Sequence, residues 1–390
     1  MDSDMSLLRT VPAQQQPDWQ NHADLGRTHA ELKEKPALVN AADVRTLRSQ
    51  LAEAAAGRVQ VVQSGDCSED PAECTPGYVA RKAALLDTLA GAMRMNTHKP
   101  VLRVGRMAGQ FGKPRSNPTE IVDGRELPVY RGHMVNDPSP DPELRRPDPR
   151  RLLAGYEAAS EVVRHLGWTG SDLPRRIGPP VWTSHETLLL DYELPLVRRD
   201  EEGRPLLAST HWPWIGERTR QVDGAHVTLL SQVVNPVACK VGPSMTTDEV
   251  LRLCEKLDPE REPGRLTLIA RMGADNVAEK LPPLVAAVRA AGHPVVWLTD
   301  PMHGNTVSGP DGLKTRMLET VMREVEEFQL AVSEHGGIPG GLHLETTPDD
   351  VTECVCTDTA FDRVGDKYTS FCDPRLNPRQ AVQVAAVWRA

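Results

Sequence analysis

The stretch HPVVWLTDPMHGNT, residues 293–306, sets the reading of the whole chain. Its first half is an apolar, β-branched run of strand length, and its second half is a turn carrying Asp300, His303 and Asn305. A strand that served packing alone would end in bland turn residues. Here ionisable and amide groups stand at the tip of a buried strand, and other apolar runs end in the same manner. The candidate strands are RVQVVQSGD (58–66), VLRVGR (101–106), VWTSHE (181–186), VACKVG (237–242), RLTLIARMG (265–273), PVVWLTD (294–300), GLHLET (341–346) and YTSFCD (368–373). Between the later ones lie segments of helical period: TTDEVLRLCEKL, NVAEKLPPLVAAVRAAG, GLKTRMLETVMREVEEFQLAVSEHG and PDDVTECV. After the last, Asn377 is placed to cap a helix that begins with Pro378.

Eight strands alternating with helices predict an α/β chain folded as a (β/α)8 TIM barrel. A doubly wound open sheet is the alternative, but it usually has fewer strands. Residues 1–55 read as an N-terminal extension packed on the outside of the barrel, with a helix in KPALVNAADVRTLRSQLAEAAAG, and residues 56–390 as the barrel itself. Two connections are long, 107–179 after the second strand and 186–235 after the third. They are expected to hold accessory helices, one of them in PRRLLAGYEAASEVVRHLG, and long loops in a compact domain usually carry function.

Composition narrows the class. The net charge of −9 excludes the basic stripe of a nucleic-acid surface. No apolar run approaches the ~18 residues of a membrane span, and the first residues, MDSDMSLLRTVPAQQQPDW, have no basic segment followed by an apolar one. Seven Cys without a small-domain framework point to a reducing, cytoplasmic setting. Aromatics are scarce at 4%, and the 33 Pro gather in loops such as NDPSPDPELRRPDPR.

In a barrel all strand ends surround one mouth, where the chemistry sits. The residues expected there are Asp66, Cys67, Arg106, His185, Glu186, Lys240, Arg271, Asp300, His303, Glu345 and Asp373. Cys67, His303, Glu345 and Asp373 combine a thiolate, an imidazole and two carboxylates, a donor set that suits a borderline divalent ion (Mn2+, Co2+, Fe2+ or Zn2+) better than a purely hard one. Arg106, Arg218, Lys240 and Arg271 around one mouth would repel each other unless a multiply charged anion were the ligand. FGKPRSNP adds Lys113, Arg115 and Ser116, a candidate second phosphate site.

Ten blocks in order carry a resemblance: VVQSGDC, VLRVGRMAGQFGKPRS, YRGHMVN, SHETLLLDYE, WIGERTRQVDGAHV, KVGPSM, ARMGADNV, LTDPMHGNT, GLHLETTPDDVTEC and CDPRLNPRQ. They resemble the type II 3-deoxy-D-arabino-heptulosonate 7-phosphate (DAHP) synthases, from QQQPDW to the last helix. The resemblance implies a metal-dependent (β/α)8 enzyme that condenses phosphoenolpyruvate with erythrose 4-phosphate and releases phosphate, the first step of the shikimate pathway. It implies that Cys67, His303, Glu345 and Asp373 bind the metal, Mn2+ or Co2+. Arg106, Glu217, Arg218, Lys240 and Arg271 would hold phosphoenolpyruvate, with Lys240, Arg218 and His303 as the catalytic set, and Lys113, Arg115 and Ser116 would meet the phosphate of erythrose 4-phosphate. LTDPMHGNT would be the family's sixth strand end.

The chain departs from the family's pattern at Ser64, where Gly is usual, and at His133, where Asp is usual. It is shorter than many members and resembles the compact forms of phenazine and other secondary-metabolite pathways. It is therefore expected to lack feedback inhibition by aromatic amino acids and to form a homodimer. An amino analogue of erythrose 4-phosphate is the rival substrate. A non-catalytic paralogue that binds a pathway enzyme is the rival class, but it would be expected to have lost metal ligands, and all four are present. With Cys372 beside Asp373 at the expected eighth strand, the Cys67 and Cys372 thiols are expected within disulfide reach.

Overall fold

The computed structural model describes residues 10–20, 22–122, 124–169, 179–309, 312–356 and 358–390. Residues 1–9, part of the segment read for a leader, lie outside the described ones. Eight parallel strands close into a barrel in sequence order: β1 (Gln60–Gly65), β2 (Val101–Arg106), β3 (Val181–Glu186), β4 (Trp212–Ile215), β5 (Val237–Val241), β6 (Leu266–Ala270), β7 (Val296–Thr299) and β8 (Pro339–Glu345). The seam is β8 on β1, in register from Val61↔Gly341 to Gly65↔Glu345.

Cross-barrel hydrogen bonds show which residues face inward. Gln63 on β1 donates to Ser184 Oγ on β3 at 2.9 Å, and its Oε1 meets His343 Nδ1 of β8 at 2.6 Å. Because side chains alternate along a strand, Val61 and Trp182 share that inward face one layer lower. They cluster with Val104, Trp212, Trp214, Ala238, Ile269, Val296 and Leu298. The lower half of the interior is thus apolar and rich in Trp, and the upper half is polar.

Helix α1 (His22–Glu34) precedes α2 (Ala41–Ala55), whose cap Asn40 accepts from the Asp43 N–H. Leu47, Leu51 and Ala54 of α2 join the interior cluster, so this helix covers the N-terminal end of the barrel. Outside the strands pack α3 (Pro76–Thr97), α4 (Arg151–His165), α5 (Ala225–Gln232), α6 (Thr247–Leu257), α7 (Val277–Ala290), α8 (Leu318–Glu334) and α9 (Pro378–Ala386). Thr246 with Glu249, and Asn377 with Gln380, form reciprocal caps that start α6 and α9.

Three expectations are corrected. YTSFCD is not a strand: residues 368–373 form a loop whose Thr369 and Ser370 N–H groups donate to Glu353. The missing barrel strand is Trp212–Ile215, which the sequence hides because it is four residues long and carries Pro213. With it restored, Val296–Thr299 becomes the seventh strand rather than the sixth. PDDVTECV is not a helix either; Val355 bridges Met317, and Val351 and Cys354 lend their carbonyls to the start of α9. The connection after β2 contains α4 and an antiparallel hairpin, Thr119–Val122 with Arg125–Pro128. That after β3 contains the hairpin Val197–Arg199 with Pro205–Leu207, and β4.

Close approach of the strands at the seam requires a glycine. Gly341 has φ +150°, and a Cβ there would lie 1.8 Å from the Val61 carbonyl oxygen. Gly341→Ala is expected to lower stability by about 3 kcal/mol or more. Gly91→Ala, at an open position of α3 with nothing within 4 Å, should instead raise it by about 0.5–1 kcal/mol. Urea unfolding midpoints of the two variants check the pair.

Candidate active site

A cavity of about 850 Å³ opens at the C-terminal mouth of the barrel. Of the residues singled out from the sequence, Cys67, Arg106, Lys113, Arg115, Ser116, Glu186, Glu217, Arg218, Lys240, Arg271, His303 and Asp373 line it. Glu345, at the tip of β8, lies just beneath, fully buried.

The donor set converges. Ligand atoms of Cys67, Glu345 and Asp373 lie within 4.8 Å of one another, and His303 Nε2 stands 3.3 Å from Glu345 Oε1. His303 Nδ1 is held by Asp300 Oδ2 at 2.8 Å. Because the carboxylate accepts, Nδ1 carries the proton and Nε2 presents a lone pair, the tautomer that ligates metal. Burial keeps the imidazole below its ordinary pKa, hence neutral. Burial alone would raise the Glu345 and Asp373 carboxyls, but the Arg316 and Lys113 cations hold both well below the usual range. Burial pushes the Cys67 thiol well up, with Cys372, Glu345 and Asp373 adding to it and Lys113 opposing. The set therefore offers one imidazole lone pair, two carboxylates and a thiol that would release its proton on ligation. Lone pairs of Nε2 and Oε1 this close repel unless a cation lies between them, so these residues fit a divalent ion.

Cations ring the same mouth, and most are already paired. Arg106 Nη2 donates to Glu345 at 3.1 Å, Nη1 meets His343 Nε2 at 3.0 Å, and the guanidinium lies over the Trp214 ring. Lys240 Nζ pairs with Asp300. Burial lowers the Lys240 pKa to about 8; Asp300 opposes this and Arg106 adds to it. Arg218 donates to Ser116 Oγ at 2.8 Å, which seats it beside the residues expected at the second phosphate. Arg115 pairs with Glu120 at 2.7 Å. Lys113 turns from Ser116 to the donor set, contacting Cys67 Sγ and Asp373 Oδ2, the latter at 2.7 Å. Glu217 lines the cavity, but its carboxylate is taken by Arg220 at 2.9 Å. Among the described residues, nothing pairs with the Arg271 guanidinium.

Several functional contacts went unassigned from the sequence. Asp300 joins the lysine to the ligand histidine. Arg316, fully buried, meets Glu345 Oε2 at 2.9 Å and donates to the Pro374 carbonyl next to Asp373. His343 and Gln63 support Arg106 from below. Asp300 was visible as a strand-tip acid; the other three carry no signal without their cross-barrel partners. His133 does not line the cavity: it bonds Tyr130 Oη at 2.6 Å and packs edge-on to Phe371, with ring centroids 5.1 Å apart. Cys372 lies in hydrogen-bonding contact with Cys67, from a loop rather than a strand, and both thiols are free. Among the described residues no helix is long and apolar enough to cross a membrane.

Comparison with known proteins agrees with this geometry. Residues 3–172 and 161–388 match the description of the class-II DAHP synthetase family. A probable phospho-2-dehydro-3-deoxyheptonate aldolase of Pseudomonas fluorescens is 57% identical, over 98% of this chain and 97% of that one. A phospho-2-dehydro-3-deoxyheptonate aldolase of Streptomyces coelicolor is 39% identical, over 97% of this chain and 94% of its own length. One of Neurospora crassa is 36% identical, over 97% and 92%. Matched in both halves, and more than half identical to a relative along nearly its full length, the chain belongs to the class-II DAHP synthetase family.

Proposed function

We propose that the chain condenses phosphoenolpyruvate with erythrose 4-phosphate and water, giving 3-deoxy-D-arabino-heptulosonate 7-phosphate and phosphate. The observation that carries this is a cationic cavity sharing one mouth with the Cys67, Glu345 and Asp373 cluster and His303 beside Glu345, in a member of this family. Arg106, Lys240 and Arg271 hold the carboxylate and phosphate of phosphoenolpyruvate, as forked and point donors do. Glu217, at the cavity wall, contributes by fixing Arg220. Lys113, Arg115 and Ser116 receive the aldehyde's phosphate, and Arg218, bonded to Ser116, joins the phosphoenolpyruvate set where the two regions meet. Carbon 3 of the enol attacks the aldehyde carbon; water adds at carbon 2, and the phosphate leaves. Cys67, His303, Glu345 and Asp373 hold Mn2+ or Co2+, which when bound supplies Lewis-acid polarisation of the aldehyde oxygen. The prepositioned cations stabilise charge on carboxylate and phosphate throughout.

The rival amino analogue draws on His133 alone, and His133 stacks behind the cavity wall. The alignment to the Streptomyces coelicolor protein runs over 425 positions against 390 residues here, so that relative carries extra residues within the matched span. Compact connections support an enzyme that feeds a secondary pathway and lacks an effector pocket.

Chelation is expected to abolish activity and Mn2+ or Co2+ to restore it, while His303→Ala stays folded by circular dichroism and loses more than about 100-fold in kcat/KM. Full activity in excess chelator would refute the metal assignment. Lys240 holds an anion only when protonated. With its pKa lowered to about 8, log(kcat/KM) for phosphoenolpyruvate should turn downward as pH rises past that value, with slope −1. A profile flat to pH ~9.5 would contradict that role. Phe, Tyr and Trp at millimolar concentration, singly or together, are expected to leave the initial rate unchanged; inhibition by any of them would reveal an effector pocket.

A further inference from the structure

Glu324 belongs to α8, outside the barrel, yet it is fully buried and reaches under two loops of the mouth. Its Oε1 accepts the N–H groups of Met272 at 3.1 Å and Gly273 at 3.0 Å, and its Oε2 accepts Asn305 Nδ2 at 2.5 Å. Asn305, also buried, donates to the Pro301 carbonyl at 2.8 Å and accepts the Ala274 N–H at 3.0 Å. The first loop begins at Arg271; the second carries His303. They touch closely: Gly304 has φ +112°, and a Cβ there would lie 2.9 Å from Gly273 N.

We propose that Glu324 is a positioning residue: through Asn305 it latches the loop after β6 to the loop after β7 and so fixes Arg271 where the anionic substrate is bound. This rests on the reading that Arg271 holds phosphoenolpyruvate. Arg271 has no partner of its own among the described residues, so its placement depends on the backbone that carries it. That backbone is tied down one and two residues on, at Met272 and Gly273.

The donor pattern separates a latch from mere filling of space. Every group that meets the Glu324 carboxylate is a donor. Burial raises the carboxyl and the Asn305, Gly273 and Met272 donors pull against that; an O–H on either oxygen would face one of those N–H groups, so the geometry holds Glu324 as the carboxylate. A glutamine of similar volume would fill the same space, but either orientation of its amide turns an NH2 toward another donor. If Asn305 flipped to accept it, the Ala274 N–H and the Pro301 carbonyl would lose their partner. Changing Asn305 to Asp in that background restores an acceptor to the new amide, and its second oxygen still takes the Ala274 N–H, while the Pro301 carbonyl loses its donor.

The test uses the full chain and reads kcat, both KM values, the urea midpoint, and phosphoenolpyruvate affinity of metal-free protein by calorimetry. The parent is expected to bind phosphoenolpyruvate and to condense it. Glu324→Gln should raise KM for phosphoenolpyruvate and weaken metal-free binding by about tenfold, with KM for erythrose 4-phosphate changed less than about twofold. Glu324→Gln with Asn305→Asp should recover part of that loss, since the latch is remade but the Pro301 carbonyl stays without its donor. Asn305→Ser, which releases the latch with Glu324 in place, should show the same selective rise if Glu324→Gln does not fold. Phosphoenolpyruvate constants within about twofold of the parent in a folded Glu324→Gln or Asn305→Ser protein would overturn the latch, even if the urea midpoint fell. Equal loss in the single and double variants would overturn the donor-matching argument. A parent that neither binds nor condenses phosphoenolpyruvate would overturn the substrate assignment, a failure read before any variant is made.

Discussion

The Glu345 carboxylate is the charge on which the mouth of this barrel depends. It is fully buried at the tip of β8, where an unpaired carboxylate would cost several kcal/mol. Arg106 comes to it from β2 across the seam strand, Arg316 from the Lys314–Arg316 strand of a hairpin, and His303 from the loop after β7. One charge thus fastens the two arginine segments, while His303 turns a lone pair toward it across the place a cation would fill. Arg106 and His303 bring groups of the proposed chemistry. Removing the carboxylate would strand a buried guanidinium that has no access to water as well as a metal donor.

Beneath that charge the barrel interior is a directed hydrogen-bond chain. Ser184 Oγ donates to the Gly105 carbonyl at 3.1 Å and so accepts from Gln63. Gln63 then has its carbonyl oxygen free for the His343 Nδ1–H, which leaves Nε2 as acceptor for Arg106. Burial, with Lys240 and Arg106 adding, keeps His343 well below its ordinary pKa and therefore neutral. A protonated ring would present a donor to a donor. The apolar Trp layer below excludes the water that would compete for these bonds.

What the sequence made legible follows the same division. Seven strands were readable as apolar runs, because a strand buried on both faces is continuous in its chemistry. Trp212–Ile215 was not, since two tryptophans and a proline over four residues carry neither period nor length. YTSFCD looked like a strand because it alternates, yet its Thr369 and Ser370 N–H groups go to Glu353 and its Cys372 N–H to Ser370 Oγ rather than to a ladder. Asp373 reaches the mouth all the same, since the loop returns over β8, with Leu376 bonded to Glu345 and Thr346 bridged to Leu376. Residues at strand tips were legible as chemistry. Gln63, His343, Arg316 and Glu324 were not, because each works through a partner on a different element.

The distribution of charge has one further consequence. The chain is acidic overall at −9, and the cations of the cavity are mostly engaged with Glu345, Asp300, Asp373 and Glu120. Pairing removes the mutual repulsion that a bare ring of cations would impose on the empty barrel. An incoming anion must then compete with carboxylates for Arg106 and Lys240, which favours ligands carrying more than one charge. Among the described residues no ion pair holds Arg271 or Arg218, whose guanidinium donates to the Ser116 hydroxyl, so a phosphate or carboxylate arriving there breaks none. Binding begins there at least cost. The exchange at Arg106 and Lys240 then requires that those first contacts be held at a fixed distance by the backbone beneath them.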